Sequence, residues 1–116
     1  MDFNSAILAH KKWKERIRQS VDTGEKLDAA VIAKDDQCDL GRWIQAAAAE
    51  QRDLAEYQAV RTKHAHFHEV AALTVRQVAG MPKAEAEALL VGTTAYGLAS
   101  AACVSAIAAL RDRLRK

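Results

Sequence analysis

The stretch Lys63-His64-Ala65-His66-Phe67-His68 places two histidines four residues apart inside a strongly helical segment. At about 100° per residue, the rings of His64 and His68 project from nearly the same helix face, one turn apart. That spacing suits the coordination of one metal ion. His66 lies about 200° away around the helix, so we expect its ring to face solvent. A histidine pair at this spacing also arises on ordinary helix faces, so the pair alone does not establish a metal site.

The helix that carries this pair has an apolar face, and a second apolar stripe lies in the N-terminal segment. Both stripes have helical spacing and are predicted to face the core. The first comprises Tyr57, Val60, His64, Ala71, Val75 and Val78. The second comprises Phe3, Ile7, His10, Trp13, Ile17 and Val21. His64 and His10 are therefore both predicted to point inward.

A buried imidazole needs partners for its nitrogens, and hydrogen bonding supplies them more often than a metal does. Three histidines and Cys38, all predicted inward, are nevertheless an unusual surplus for a small core. One zinc ion accounts for all four. Cys38 also lies near a predicted helix start, where the amide dipoles favour a thiolate. Cys103, set in an apolar seam, is expected to act as a small core hydrophobe.

The chain resembles the chemoreceptor zinc-binding (CZB) domain of bacterial signalling proteins. The resemblance rests on a histidine with a tryptophan three residues on, a Cys-x-Leu-Gly-x-Trp block and a His-x3-His pair, here His10, Trp13, Cys38, Leu40, Gly41, Trp43, His64 and His68. The 24 residues between Trp13 and Cys38 and the 20 between Trp43 and His64 fit the family's spacing.

The resemblance implies a Zn²⁺ site with the ligands His10, Cys38, His64 and His68. Trp13, Leu40, Gly41 and Trp43 would surround the metal, although core packing explains the two tryptophans equally well. Three imidazoles and one thiolate fill a tetrahedral zinc site and leave no position for a substrate. We therefore expect no enzymatic activity.

The family also implies a function in signalling. Its members sense zinc, or hypochlorous acid acting on the zinc-bound cysteine, beside chemoreceptor helices or a diguanylate cyclase. In this chain Cys38 would be the residue that reacts with the oxidant. The alternative is a structural zinc-stabilised dimerisation module that senses nothing. Both functions need the same four ligands, so the sequence does not separate them.

Composition indicates one helical domain over residues 1–116. Half of the residues are hydrophobic, and five glycines and one proline interrupt them. A net charge of +2 without a basic stripe does not favour nucleic acid. Two cysteines do not form a disulfide framework, and no signal-peptide pattern is present, so we expect a cytoplasmic location. A start at Met1 directly before the first helix favours a stand-alone protein over an excised domain.

The helix-capping and helix-breaking residues predict an all-α antiparallel four-helix bundle with an extra short helical connection. The first helix is expected over residues 3–21 with a stop at Gly24, and the connection over 27–33. Asp35 or Asp36 would cap the second helix, which carries Cys38 and Trp43. A capping box over residues 53–56 would open the third helix, which Gly80 closes, and Pro82 would begin the fourth.

Residues 88–110 form a run of 23 residues without a charge. The run is long enough to cross a bilayer, but it is mostly small residues, so a buried helix is the better interpretation. Its seam comprises Leu89, Thr93, Tyr96, Ser100, Cys103, Ile107, Leu110 and Leu114, with the small residues Gly92, Gly97, Ala99 and Ala101 beside it. Such a helix would be about 50 Å long, more than a small domain requires. The excess length of this helix predicts that it packs against a second copy of the chain in a homodimer. A charge at Ser100 or Val104 should disrupt that homodimer.

Overall fold

The computed structural model describes residues 2–34, 38–46 and 49–115. Its first helix begins at the predicted residue and ends just before the predicted glycine. Helix α1 spans Phe3–Thr23. The Asp2 carboxylate accepts hydrogen bonds from the backbone N–H groups of Asn4 and Ser5, and Gly24 follows with φ at 76°. An aspartate N-cap and a left-handed glycine are common helix ends. The prediction that the first helix stops at Gly24 is confirmed.

Three short helices follow. Helix α2 spans Ala29–Ile32, with Asp28 as its N-cap, and forms the predicted short connection. Helix α3 spans Asp39–Ala46 and α4 spans Ala49–Arg52. The predicted caps Asp35 and Asp36 lie outside the described residues.

The second long helix, α5, spans Ala55–Val78 and carries the histidine pair. Gly80 follows it with φ at 81°, so the predicted stop is confirmed. The predicted capping box is wrong, because the N-cap is Leu54 and no side chain caps the helix. Leu54 packs partly buried against the core, and the N-cap lies one residue after the predicted cap, Asp53.

The predicted continuous fourth helix is also wrong. Helix α6 spans Lys83–Ala88, directly after Pro82, and α7 begins only at Ala95 and runs to Arg115. The break is stabilised by Thr94, whose hydroxyl donates to the Val91 carbonyl and accepts from the Gly97 N–H. A threonine at an N-cap satisfies a free amide that a continuous helix would bond internally.

Helix α7 packs antiparallel to both α1 and α5. Asn4 and Arg111 are hydrogen-bonded across α1 and α7, as are His10 and Ser100 further along. Within the described ranges the regular elements are all helices, which confirms the predicted all-α bundle. None of the described helices has both the length and the apolar character needed to cross a membrane.

The predicted seam of α7 faces the core of its own chain. Its central residues are buried, namely Tyr96, Ser100, Cys103, Ile107 and Leu110, whereas Thr93 and Leu114 at its ends are exposed. Ser100 is therefore a core position, and a charge there tests the stability of the protomer instead of an interface between protomers.

Candidate metal centre

Cys38 occupies the N-cap position of α3. Its carbonyl accepts the Arg42 N–H at 2.9 Å, and its Sγ accepts the Gly41 N–H at 3.3 Å. Serine and threonine hydroxyls cap helices with the same geometry. The sequence prediction that Cys38 lies at a helix start is confirmed, and the glycine in the Cys-x-Leu-Gly-x-Trp block supplies the amide that fixes the sulfur.

His64 and His68 on α5 form a compact group of three donor atoms with Cys38. The Nε2 atoms of His64 and His68 are 3.1 Å apart, and Cys38 Sγ lies 3.3 Å from the first and 3.9 Å from the second. Both histidines are buried, with 3% and 6% of their surfaces exposed, and Cys38 is half-buried. Helix α5 thus supplies two donors from one face, and the cap of α3 supplies the third.

These separations match three corners of a tetrahedral zinc site. With Zn–N bonds of about 2.05 Å and Zn–S bonds of about 2.3 Å, tetrahedral angles place two nitrogens about 3.3 Å apart and a nitrogen and a sulfur about 3.6 Å apart. The three observed edges lie within about 0.3 Å of these values. Cys38, His64 and His68 are therefore positioned to hold one metal ion.

The protonation of these side chains also suits the binding of a cation. The Nδ1–H of His68 donates to the Ile32 carbonyl at 2.8 Å, so its Nε2 presents a lone pair to the group. A hydrogen bond of this kind fixes the tautomer of many metal-bound histidines. His64 Nδ1 is buried and has no hydrogen-bond partner among the described residues. Its Nε2 is the nitrogen that points to Cys38 and His68, and a metal bond there would hold the ring.

His10, the fourth predicted ligand, is not part of the group of three. It is buried, and its Nε2 is hydrogen-bonded to the Ser100 hydroxyl at 2.8 Å. Its ring packs against Phe67 with the ring centroids 4.3 Å apart. All four predicted ligands nevertheless line one cleft of about 680 Å³, so His10 borders the centre without joining it.

Burial keeps the imidazoles of His64 and His10 neutral at physiological pH. It lowers the pKa of His64 to about 3, and charge on His68 and His10 acts in the same direction. It lowers the pKa of His10 to about 4, assisted by Lys14 and His68. Neutral imidazole is the form that binds metals.

The two thiols differ in their surroundings. Burial raises the pKa of Cys38, and the Gly41 N–H opposes that rise. A bound divalent cation reverses the balance, because a coordinated thiol loses its proton. Deeper burial, followed by the proximity of Cys38, raises the pKa of Cys103 to about 12. Cys103 is thus the small buried core residue that its place in the seam predicted.

The four residues predicted to surround the metal have different environments. Leu40 is buried, and Gly41 contributes its N–H to the sulfur. Trp13 keeps 36% of its surface exposed and forms a wall of the cleft. The ring contacts of Trp43 are to Phe3 and Tyr57, with centroids 5.2 Å and 6.0 Å away. Trp43 is therefore packed in the core, which is the alternative to a position around the metal that the sequence leaves open.

The sequence does not predict the roles of two residues near the centre. It places Ser100 in the seam of the last helix, although a hydroxyl between Tyr96 and Cys103 on an inward face indicates a buried polar partner. The Ile32 carbonyl, which orients His68, has no side-chain signal at all. His66 is exposed, as the helix period predicted.

Comparison with protein families agrees with this geometry. The family model described as the chemoreceptor zinc-binding domain matches residues 10–75, more than half of the chain. The match begins at His10 and includes the other three predicted ligands. Comparisons with curated proteins and with solved structures gave no match.

Proposed function

We propose that this chain, which belongs to the chemoreceptor zinc-binding domain family, acts as a sensor in bacterial signal transduction. The observation that carries the proposal is the group formed by Cys38, His64 and His68, whose donor atoms are spaced as the corners of a zinc site. A zinc-binding signalling domain is what the family and this group support together.

The proposed site is closed and regulatory. His10 would supply the fourth donor, as the family motif implies, and zinc would then be held by three imidazoles and one thiolate. Such a ligand set leaves no position for a water or substrate. We therefore propose that the chain is not an enzyme and that zinc supplies binding energy and thiolate character.

Two inputs are compatible with this ligand set. The first is the zinc level itself. The second is hypochlorous acid, which would convert the Cys38 thiolate to a sulfenic acid and release chloride, with the oxygen transferred to sulfur. Cys38 is half-buried and borders the cleft, whereas Cys103 is fully buried. Oxidation of Cys38 would weaken one of the ligands and leave the histidines in place.

The output requires a partner. We propose a chemoreceptor or a diguanylate cyclase as the partner, a cytoplasmic location and a homodimer as the working assembly, all from the family resemblance. None of these needs the chain to bind nucleic acid or a membrane. The structure offers one element for transmission, since α7 contacts α1 beside the centre through Ser100 and His10.

A structural role for zinc is the second candidate, and one observation favours it. The centre joins three separate segments, because Cys38 caps α3, His64 lies on α5 and His68 hydrogen-bonds the end of α2. A metal at this position would stabilise the fold even if its occupancy never changed. The two functions differ in the affinity that they require.

A zinc titration against a competing chelator at fixed pH tests the proposal. A sensor of zinc must have a dissociation constant near the free zinc concentration of the cell, whereas a structural site is saturated far below it. One zinc per chain is expected in both cases. Two metals per chain, or preferential iron binding, would overturn the proposed site.

A further inference from the structure

The strongest feature outside the group of three is the buried contact between α1 and α7. His10 Nε2 and Ser100 Oγ lie 2.8 Å apart, although 90 residues separate them in the sequence. Both side chains are buried, with 8% and 2% of their surfaces exposed. A buried hydrogen bond of this kind is costly to break without replacement.

The position of His10 shows that the ring must move to reach a metal. His10 does not belong to the group whose donor atoms all lie within 4.8 Å of one another. Neighbouring donors in a tetrahedral zinc site are about 3.3 to 3.6 Å apart. A shift of more than about 1 Å is therefore required. Because the bond to Ser100 is already 2.8 Å long, a shift of that size away from Ser100 would stretch it out of hydrogen-bonding range.

The surroundings of His10 leave room for this shift. The ring lies beside Phe67, with its centroid 4.3 Å away at a tilt of 50°, and it borders the cleft that the other three ligands also line. Movement toward the cleft is movement toward Cys38, His64 and His68. Ser100 is not among the residues that line this cleft.

We infer that Ser100 is a positioning residue that competes with zinc for His10. In this arrangement the Nε2 atom of His10 exchanges its hydrogen bond to Ser100 for a bond to the metal. Metal binding through Nδ1 would keep that hydrogen bond, so Ser100→Ala would then not tighten zinc binding. The exchange releases a side-chain link between α1 and α7, so metal occupancy changes how α7 is held. The inference rests on the proposed zinc binding and assigns to α7 the role of reporting it.

The test is the substitution Ser100→Ala in the full chain. Without the hydroxyl, zinc-free His10 loses its buried partner, whereas a zinc-bound His10 loses nothing. Removal of a competing hydrogen bond should tighten zinc binding about five- to tenfold in a chelator competition. The zinc-free variant should unfold at a lower urea concentration, while the zinc-loaded variant should match the original protein.

Two controls make the result specific. Ser105→Ala removes an exposed hydroxyl from the same helix and should leave the affinity unchanged. In a His10→Ala background, Ser100→Ala should have no effect on affinity, because the two residues act through one contact. Imidazole ¹H–¹⁵N NMR of the original protein should show the His10 signals move when zinc is added.

The outcomes separate the two proposals. If the original protein binds no zinc, the proposed function fails and this inference fails with it. If the original protein binds zinc but Ser100→Ala binds it equally or more weakly, competition is wrong while the proposed function stands. An effect of Ser100→Ala that persists without His10 would also overturn the inference.

Discussion

Each histidine in this chain has a role that is set by its face on a helix. His64 and His68 share the buried face of α5 and contribute two adjacent nitrogens to the centre. His66 lies between them in sequence but is exposed. Identical side chains two residues apart thus have different chemistry because the helix period places them on different faces.

This contrast predicts different effects on zinc binding when each of the three histidines is replaced. His66→Ala should keep one zinc per chain, because its ring does not face the centre. His64→Ala or His68→Ala should weaken zinc binding by at least tenfold, since each removes a donor from a closed site. Metal analysis after gel filtration, with chelator titration, measures both. Equal zinc loss from all three variants would contradict the assigned ligands.

A second prediction concerns the two thiols. Hypochlorous acid at about one equivalent should modify Cys38 before Cys103, because zinc-bound thiolate is nucleophilic whereas burial raises the pKa of Cys103 to about 12. Peptide mass mapping identifies the oxidised residue. Cys38→Ser should lose any accompanying change in zinc affinity. An inert Cys38 would eliminate oxidant sensing and leave zinc level as the proposed input.

The pH dependence follows from the depressed histidine pKa values. His10 and His64 have folded-state pKa values of about 4 and about 3, below the ordinary 6.5. The unfolded chain therefore binds more protons than the folded chain between these values, so acid favours unfolding. Stability should be fully present above pH of about 6.5 and should fall as the pH decreases toward 4.

Urea unfolding with chelator present, measured between pH 7.5 and 4.5, tests this dependence. The free energy of unfolding should decrease across the range, and a His10→Ala variant should show a smaller decrease. A stability that does not change with pH would show that these imidazoles are not held neutral by burial.

At the scale of elements, the turn between α6 and α7 determines where α7 begins. A Cβ atom on Gly97 would collide with the Val91 carbonyl oxygen and would lie 2.5 Å from Gly92 Cα. Only glycine lets the turn pack against the first turn of α7. The Thr94 cap and this close approach together divide a stretch that composition alone presents as one helix.

The corresponding prediction compares two glycines. Gly97→Ala should destabilise the fold by about 1–3 kcal/mol, because the backbone must move to admit a methyl group. Gly92→Ala meets nothing within 4 Å and should change stability by less than about 0.5 kcal/mol. Urea unfolding at a fixed zinc concentration measures both. Equal effects would mean that the close approach at Gly97 does not stabilise the fold.

At the scale of the whole molecule, α7 has two different faces. The inner face is buried against α1 and α5 and includes Ser100. The outer face is exposed and uncharged over more than three turns, and it comprises Leu98, Ala101, Ser105 and Ala109. Leu98 leaves 60% of its surface exposed. If the chain forms the proposed homodimer, this outer face is where a second copy would meet α7.

Leu98→Glu is accordingly expected to convert a dimer to a monomer at micromolar concentration, as measured by sedimentation. Leu73→Glu changes a leucine on α5 that is 51% exposed and should leave the dimer intact. A monomer in the original protein would refute the dimer. Dissociation by both variants would place the interface elsewhere. Ser100 is not a suitable probe, because a charge there would disrupt the buried contact with His10.

The amino-acid sequence alone is enough to predict the helical class, the C-terminal ends of α1 and α5, and four of the side chains that line the cleft. These features depend on local rules: the helix period sorts faces, and glycine at positive φ ends helices. A motif of specified residue types at fixed spacing predicts the metal site. None of this requires knowledge of which helix packs against which.

The start of α5, the break before α7 and the partner of His10 depend on tertiary contacts. Leu54 is the N-cap of α5, and its partly buried side chain packs against the core. The break depends on a close backbone approach at Gly97. The bond between His10 and Ser100 joins residues 90 positions apart, and no local pattern encodes a contact made by packing two helices side by side.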